Sequence, residues 1–371
     1  MTTKRRLGST DLQIAPLVLG GNVFGWTADR AASFAVLDAF VAGGCTMIDT
    51  ADVYSAWVDG HGGGESETMI GEWLKASGKR DSVLIATKVG MLPGEGGEKL
   101  APARIAAAAE ASLQRLGTDR IDLYYAHQDD ESVPQEAVLE AFGLLIDAGK
   151  VRVLGASNFH AARLKSAVDA AKASGLPRYH VLQPEYNLVS RHKFEGELQD
   201  YCVTENFGVL PYYGLASGFL TGKYRSRDDL GQSVRGGRMG DLLEGKGAAV
   251  LAAMDQVAEE TGATLAQIAL AWLIAQDGVT APIASATRVD QVEDLLPAME
   301  LALTRDQLDR LTTAKVPPRG GEGLCPTGTN GPRTDRYSAS GSASAAKHAP
   351  ARWTPERVRH DEDEGRSADT G

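Results

Sequence analysis

Three short apolar runs in the N-terminal part of the chain each lead into a group that can hold or move a proton. Met47-Ile48 runs into Asp49, Leu84–Thr87 into Lys88 and Leu123–Ala126 into His127, with Tyr54 one short loop beyond Asp49. A tyrosine hydroxyl, with a reference pKa of about 10, donates protons poorly at neutral pH. An ammonium beside it favours the phenolate and lowers that pKa. A carboxylate next to the ammonium would fix its position and keep it charged, and a neutral imidazole could orient the oxygen that takes the proton. Such a set protonates a developing alkoxide. It is not a nucleophile-activating triad, because no serine or cysteine accompanies it. Singly, each residue has a plainer reading: a helix-capping Asp, a solvated Lys, a core or rim His and Tyr. Only the four together specify chemistry.

Positioning such groups calls for several strand ends at one mouth. Short apolar runs alternate along the chain with longer helix-like segments: Leu17–Leu19, Thr46–Ile48, Val83–Ala86, Ile121–Tyr125, Val151–Leu154, Val181–Leu182, Val209–Leu210 and Ala281–Ala284. They read as buried parallel strands. Amphipathic segments lie between them. Ala101–Leu116 ends at Gly117, Pro134–Ala148 starts with proline and ends at Gly149, and Ala248–Glu260 and Leu265–Ala275 follow the same pattern. Arg6-Leu7, the Gly8-Ser9-Thr10-Asp11 turn and Leu12-Gln13-Ile14 predict an N-terminal hairpin. Eight strand–helix units make an α/β class (β/α)8 TIM barrel more natural than an open doubly wound sheet, although strand counting alone leaves the sheet as a competitor. In a barrel, reactive groups come from the C-terminal strand ends, where Asp49, Lys88 and His127 fall.

Composition excludes other classes. An apolar share of 43% is ample for a large core, and a net charge of −11 argues against a nucleic-acid partner. Cys45, Cys202 and Cys325 have no CxxC spacing, so neither a disulfide framework nor a zinc or other metal site is expected. Lys4-Arg5-Arg6 precedes no apolar run and no stretch is long enough to span a bilayer, so the expectation is a cytoplasmic protein without membrane partners. Residues 1–316 form the expected barrel domain. Pro317–Gly371 contains no Ile, Phe or Met and is rich in Gly, Ser, Ala, Pro, Arg and Asp, which predicts a low-complexity, disordered tail. The glycines of Gly20–Gly25 lack GxGxxG spacing and those of Gly60–Gly64 follow a loop, so no Rossmann fingerprint is present.

From about Lys4 to Lys315 the chain resembles the aldo-keto reductase superfamily, through Ile48–Tyr54, Ala86-Thr87-Lys88, His127–Asp130, Gly155–Phe159, Gln183–Leu188, Gly214–Tyr224 and Ser285–Leu295 in order. Tyr186-Asn187-Leu188 is similar to the bacterial and potassium-channel β-subunit-like branches. The resemblance implies a catalytic tetrad of Asp49, Tyr54, Lys88 and His127, with Tyr54 as general acid and hydride from NADPH (NADP+) to a small carbonyl substrate. It further implies Ser157, Asn158 and Gln183 on the nicotinamide carboxamide and Tyr212 stacked on the ring. The loop Tyr213–Tyr224 would cover the pyrophosphate through Gly214, Leu215, Ser217, Gly218 and Leu220, with Lys223 and Arg225 as countercharge. Ser285, Thr287 and Arg288 would meet the 2′-phosphate, and Gln291 and Asp294 the adenosine; Asp294 stands where asparagine is commoner. Phe24, Trp26 and Trp57, with Val23 and Val58, fall where a substrate pocket would be lined. Two other readings accompany carbonyl reduction: a cofactor-binding, redox-sensing regulatory subunit, and a keto-sugar reductase.

Overall fold

A computed structural model describes residues 3–232, 236–243 and 245–314. Strands β1 (Arg5–Arg6) and β2 (Gln13–Ile14) pair antiparallel, with Arg5 opposite Ile14 and Arg6 opposite Gln13. Eight parallel strands follow: β3 (Val18–Gly20), β4 (Met47–Asp49), β5 (Leu84–Val89), β6 (Ile121–Ala126), β7 (Val151–Ser157), β8 (Val181–Gln183), β9 (Gly208–Val209) and β10 (Ile283–Ala284). β3 to β9 pair in chain order and β10 pairs with β3. The ring closes where Thr280 N–H donates to the Val209 carbonyl at 2.9 Å and Ile283 N–H to that of Pro211 at 2.8 Å. Closure removes the open sheet from consideration.

Helices α1 (Arg30–Ala42), α2 (Glu65–Ser77), α3 (Pro102–Leu116), α4 (Gln135–Asp147), α5 (Ala161–Ser174) and α6 (Glu197–Thr204) occupy the successive crossovers. α7 (Lys246–Thr261) and α8 (Leu265–Ile274) lie between β9 and β10, and α9 (Val289–Leu295) and α10 (Arg305–Thr313) come last. Their ends carry recognisable stops. Asp29 accepts from Ala32 N–H at α1, Thr264 with Gln267 and Thr304 with Gln307 form capping boxes at α8 and α10, and Gly117 ends α3 at φ +62°.

Alternation along each strand sorts residues into two layers. Leu84 and Ala86 of β5 join the inner cluster while Ile85 and Val89 join the outer one, beneath the helices. Lys88 continues the inward series at the top of β5, and Thr87 faces outward. At the bottom, Leu7, Leu12 and Ile14 of the hairpin pack with Val18, Met47 and Leu123 inside the ring. Gly8 permits this plug: its φ is +56°, and a Cβ there would stand 2.2 Å from the Gly208 nitrogen. The floor is thus sealed with apolar side chains and the polar groups gather at the opposite mouth. The expected tail, Pro317–Gly371, lies outside the described residues.

Candidate active site

Asp49 is the last residue of β4 and Lys88 the fifth of β5, so both enter the ring from neighbouring strands. Lys88 is fully buried and spends its three donors locally: to Asp49 Oδ2 at 2.7 Å, to the Thr50 carbonyl at 2.7 Å and to the Tyr54 hydroxyl oxygen at 3.2 Å. Since the Tyr54 oxygen accepts from Lys88, its own O–H is left to donate elsewhere. The second Asp49 oxygen accepts from Gln183 Nε2 at 2.8 Å, a link from β8 across the barrel.

Tyr54 is held from its backbone. Its N–H donates to the Ala51 carbonyl at 3.2 Å, and its carbonyl accepts from Gly64 and Ser66 N–H at 2.9 and 3.3 Å. The next amide, Ser55 N–H, donates to Glu65 Oε2 at 3.1 Å. His127 follows β6, its ring centroid 6.1 Å from that of Tyr54 at 73°, and its Nδ1 is buried without a hydrogen-bond partner. The four groups do converge, although His127 makes no hydrogen bond to the phenol.

Burial sets the protonation states. It pushes Asp49 up against the pull of Lys88 and Gln183, leaving the carboxyl above its usual range. Burial also works to lower Lys88, but Asp49 and Tyr54 outweigh it, and the ammonium is held more firmly than in an ordinary lysine. His127 is driven well below the usual imidazole value by burial and then by Lys88, so it is neutral. Tyr54 departs from the sequence expectation. Lys88 does draw its pKa down, but burial and Asp49 draw it up by more, and the net direction is upward. The phenol is therefore firmly protonated.

Beside this cluster Ser157 donates to the Gln183 carbonyl at 2.9 Å. Asn158, at φ +59°, donates to the His127 carbonyl at 2.9 Å and accepts from the Tyr212 hydroxyl at 2.7 Å. Ser285 donates to Asn22 Oδ1 at 2.7 Å, joining the ends of β10 and β3. Left-handed backbone recurs through Tyr213, Ala216, Ser217, Gly218 and Gly222. Gly214 and Leu220 are buried, while Leu215, Ser217 and Gly218 are partly exposed. Lys223 is exposed, with its ammonium 5.0 Å from the Tyr224 ring centre.

Several groups expected at the cofactor already have partners. Arg225 pairs with both oxygens of Asp255 at 2.8 and 2.7 Å. Asp294 accepts from Gln267 Nε2 at 3.1 Å, and Gln291 Oε1 accepts from Thr287 N–H at 2.8 Å. Arg288, at the start of α9, pairs among the described residues with Asp290 two residues on, both exposed. Of the expected pocket residues, Phe24 is fully buried in the outer core, as Val23 nearly is. Trp57 is 44% exposed, and its ring lies 5.8 Å from Tyr54 and 5.6 Å from Trp26. Sequence reading did not single out the Thr50 carbonyl, Asn22 or the Gln183–Asp49 bond as parts of the site. Nothing in local spacing signals partners that meet only through barrel closure.

Among the described residues, no group of three or more His, Cys, Asp or Glu side chains is arranged to hold a metal ion, and no helix is long and apolar enough to cross a membrane. The sequence model of the Aldo/keto reductase family matches residues 16–315. The uncharacterized oxidoreductase YrpG of Bacillus subtilis (strain 168) is 32% identical, over 85% of this chain and 96% of that protein. A probable voltage-gated potassium channel subunit beta of Arabidopsis thaliana is 30% identical, over 83% and 94%. The L-glyceraldehyde 3-phosphate reductase of Escherichia coli (strain K12) is 29% identical, over 80% and 87%. With a closed eight-stranded barrel and a family match across nearly all of its described length, the chain belongs to the aldo/keto reductase family.

Proposed function

We propose that this protein reduces an aldehyde or ketone to the alcohol with NADPH, Tyr54 giving the proton. The carrying observation is the buried Lys88 ammonium, shared between buried Asp49 and the oxygen of the partly exposed Tyr54. A carbonyl oxygen seated by the phenol would gain negative charge as its carbon accepts hydride. The Tyr54 O–H then transfers its proton to that oxygen. Lys88, already bonded to the phenolic oxygen, stabilises the phenolate left behind, and such a preorganised, buried charge counts for more than one in open water. Asp49 keeps the ammonium in register, and neutral His127 adds a polar edge without a competing charge. Solvent returns the proton to Tyr54.

A hydroxyl and amides at adjoining strand ends, Ser157, Asn158 and Gln183, would hold a carboxamide by exchanging bonds they now make to Gln183, His127 and Asp49, with the partly exposed Tyr212 ring alongside. When bound there, a reduced nicotinamide supplies the hydride. Gly214, Leu215, Ser217, Gly218 and Leu220 would lay backbone against the pyrophosphate, with Lys223 nearby and Arg225 after release from Asp255. Ser285, Thr287 and Arg288 would select the 2′-phosphate: Arg288 is exposed and held by a single neighbouring surface pair, which water screens. Gln291 and Asp294 flank the adenosine position, and Trp26 and Trp57 border the substrate approach.

Fluorescence titration with NADPH and NADH, followed by a panel of aldehydes and ketones, tests the proposal. NADPH should bind at one per chain and more tightly than NADH, and its absorbance at 340 nm should fall with at least one carbonyl. Tight, stoichiometric binding with no turnover across the panel would contradict the enzymatic reading.

A further inference from the structure

Behind the mouth, on the outer side of the sheet, lies a second buried charged cluster that the chemistry above does not use. Asp52 and Glu67 are both fully buried. Arg115 of α3 pairs with Glu67 at 2.7 Å, and Glu67 also accepts from the hydroxyl of Thr87, the residue before Lys88. Asp52 is bound more loosely. One oxygen is 3.3 Å from Arg104 Nη2, and the other is buried with no hydrogen-bond partner.

Asp52 also touches both halves of the reacting pair through the backbone. It sits two residues before Tyr54, and its N–H donates to the Lys88 carbonyl at 3.3 Å. Arg104 donates in addition to the Leu92 and Glu95 carbonyls at 3.0 and 3.4 Å, in the loop that follows the Lys88 strand. One guanidinium thereby ties the Tyr54 loop to the loop beyond Lys88. Building on the proposed role of Tyr54, we propose that Asp52, acting through Arg104, is a positioning residue that fixes Tyr54 beside Lys88 and makes turnover depend on the charge of its own carboxyl.

The groups facing Asp52 support a charge that changes near neutrality. Burial pushes its carboxyl up, the Glu67 carboxylate of α2 pushes it further, and Arg104 and Arg115 of α3 and the Val53 amide pull it back, leaving it at about 7. Tyr124 of β6 lies in the same field, its hydroxyl buried without a partner. Below that value the Asp52–Arg104 ion pair is lost. A small displacement of Tyr54 from Lys88 then suffices to slow proton transfer.

The test compares wild type with Asp52→Asn, a neutral isostere, measuring kcat for one aldehyde from about pH 5.5 to 9 at saturating NADPH. Wild-type kcat should fall roughly five- to tenfold on an acidic limb centred near 7, and the variant should sit at the low plateau with no limb. NADPH affinity should stay within about twofold, because Asp52 touches no proposed cofactor residue. Stability should move the other way. A raised carboxyl pKa stabilises the fold below the unfolded value and loses that contribution as pH rises through about 7. At pH 8 the variant should therefore melt no lower than wild type.

Superimposable pH profiles, or a fall in kcat accompanied by equal losses of cofactor affinity and melting temperature, would overturn the proposal. If Asp52→Asn does not fold, Arg104→Gln serves instead: with no guanidinium for Asp52 to pair with, kcat should sit at the low plateau with no acidic limb, and a limb retained at wild-type height overturns the proposal as well. A wild type that turns over no carbonyl would remove both this inference and the function it rests on. A working wild type with an unaltered variant removes this inference alone.

Discussion

The two halves of the barrel mouth are built in opposite ways. On the β4–β6 side, Asp49, Lys88 and His127 are nearly or wholly buried, and Tyr54 is clamped through its backbone to the start of α2. On the β9–β10 side, Lys223, Arg225 and Arg288 are exposed, and two of the three are paired with carboxylates of this same chain. Under the proposed function, the difference separates two tasks. Reacting groups gain from being fixed before substrate arrives, since positions set in advance need no reorganisation during reaction. Cations that must catch and release a phosphate-bearing cofactor gain from cheap partners, and exposed pairs exchange readily.

Breaking the buried half should have the larger consequence. Lys88→Met should lower kcat about a thousandfold or more in steady-state NADPH oxidation, since both the anchor of the phenol and its phenolate stabiliser vanish. It should also destabilise the fold by roughly 3–5 kcal/mol if Asp49 stays charged, because a buried ion loses its partner. Asp49 can escape part of that cost by taking up a proton, its pKa already lying above the usual range through burial. Sign follows from linkage: a raised carboxyl pKa stabilises at low pH and the benefit is lost as pH rises through it. Melting curves of Lys88→Met should therefore fall away from wild type more steeply at pH 9 than at pH 6.

The exposed half should respond in binding and not in chemistry. Arg288→Ala should weaken NADPH by about tenfold and leave NADH and kcat nearly unchanged, as expected for one lost charged contact to a phosphate. Equal weakening of both cofactors would place Arg288 away from the 2′-phosphate. The smallest effect sharpens the comparison. Asp255→Ala frees Arg225, and if that cation serves the pyrophosphate, the dissociation constant for NADPH should fall about two- to threefold in the same titration. An unchanged value would leave Arg225 as a strut between the 222–225 turn and α7.

Much of the buried half was legible in sequence because it rides on strand periodicity. Leu84, Ala86 and Lys88 share one face of β5, so a lysine at the end of an inward series must meet whatever the adjacent strands bring there. All eight apolar runs became strands of the ring. What stayed hidden depends on burial or distant partners. The direction of the Tyr54 shift required knowing that desolvation exceeds the pull of Lys88, and local sequence carries no measure of depth. Arg225 meets Asp255 thirty positions away, and Gln183 reaches Asp49 only because the barrel closes. Phe24 looked like a pocket residue by position, yet its ring fills the core outside the barrel. Asp52, three residues from Asp49, carries no local signal of its own: Arg104 and Glu67 reach it from α3 and α2.

The central claim is that the Tyr54 hydroxyl delivers the proton. Single-turnover mixing of an aldehyde with the NADPH complexes of wild type and Tyr54→Phe, followed at 340 nm, tests it most directly. Wild type should oxidise its bound cofactor, while the phenylalanine variant should bind NADPH with similar affinity and react at least about a thousandfold more slowly. A variant that reacts within about tenfold of wild type would mean that the proton comes from another group.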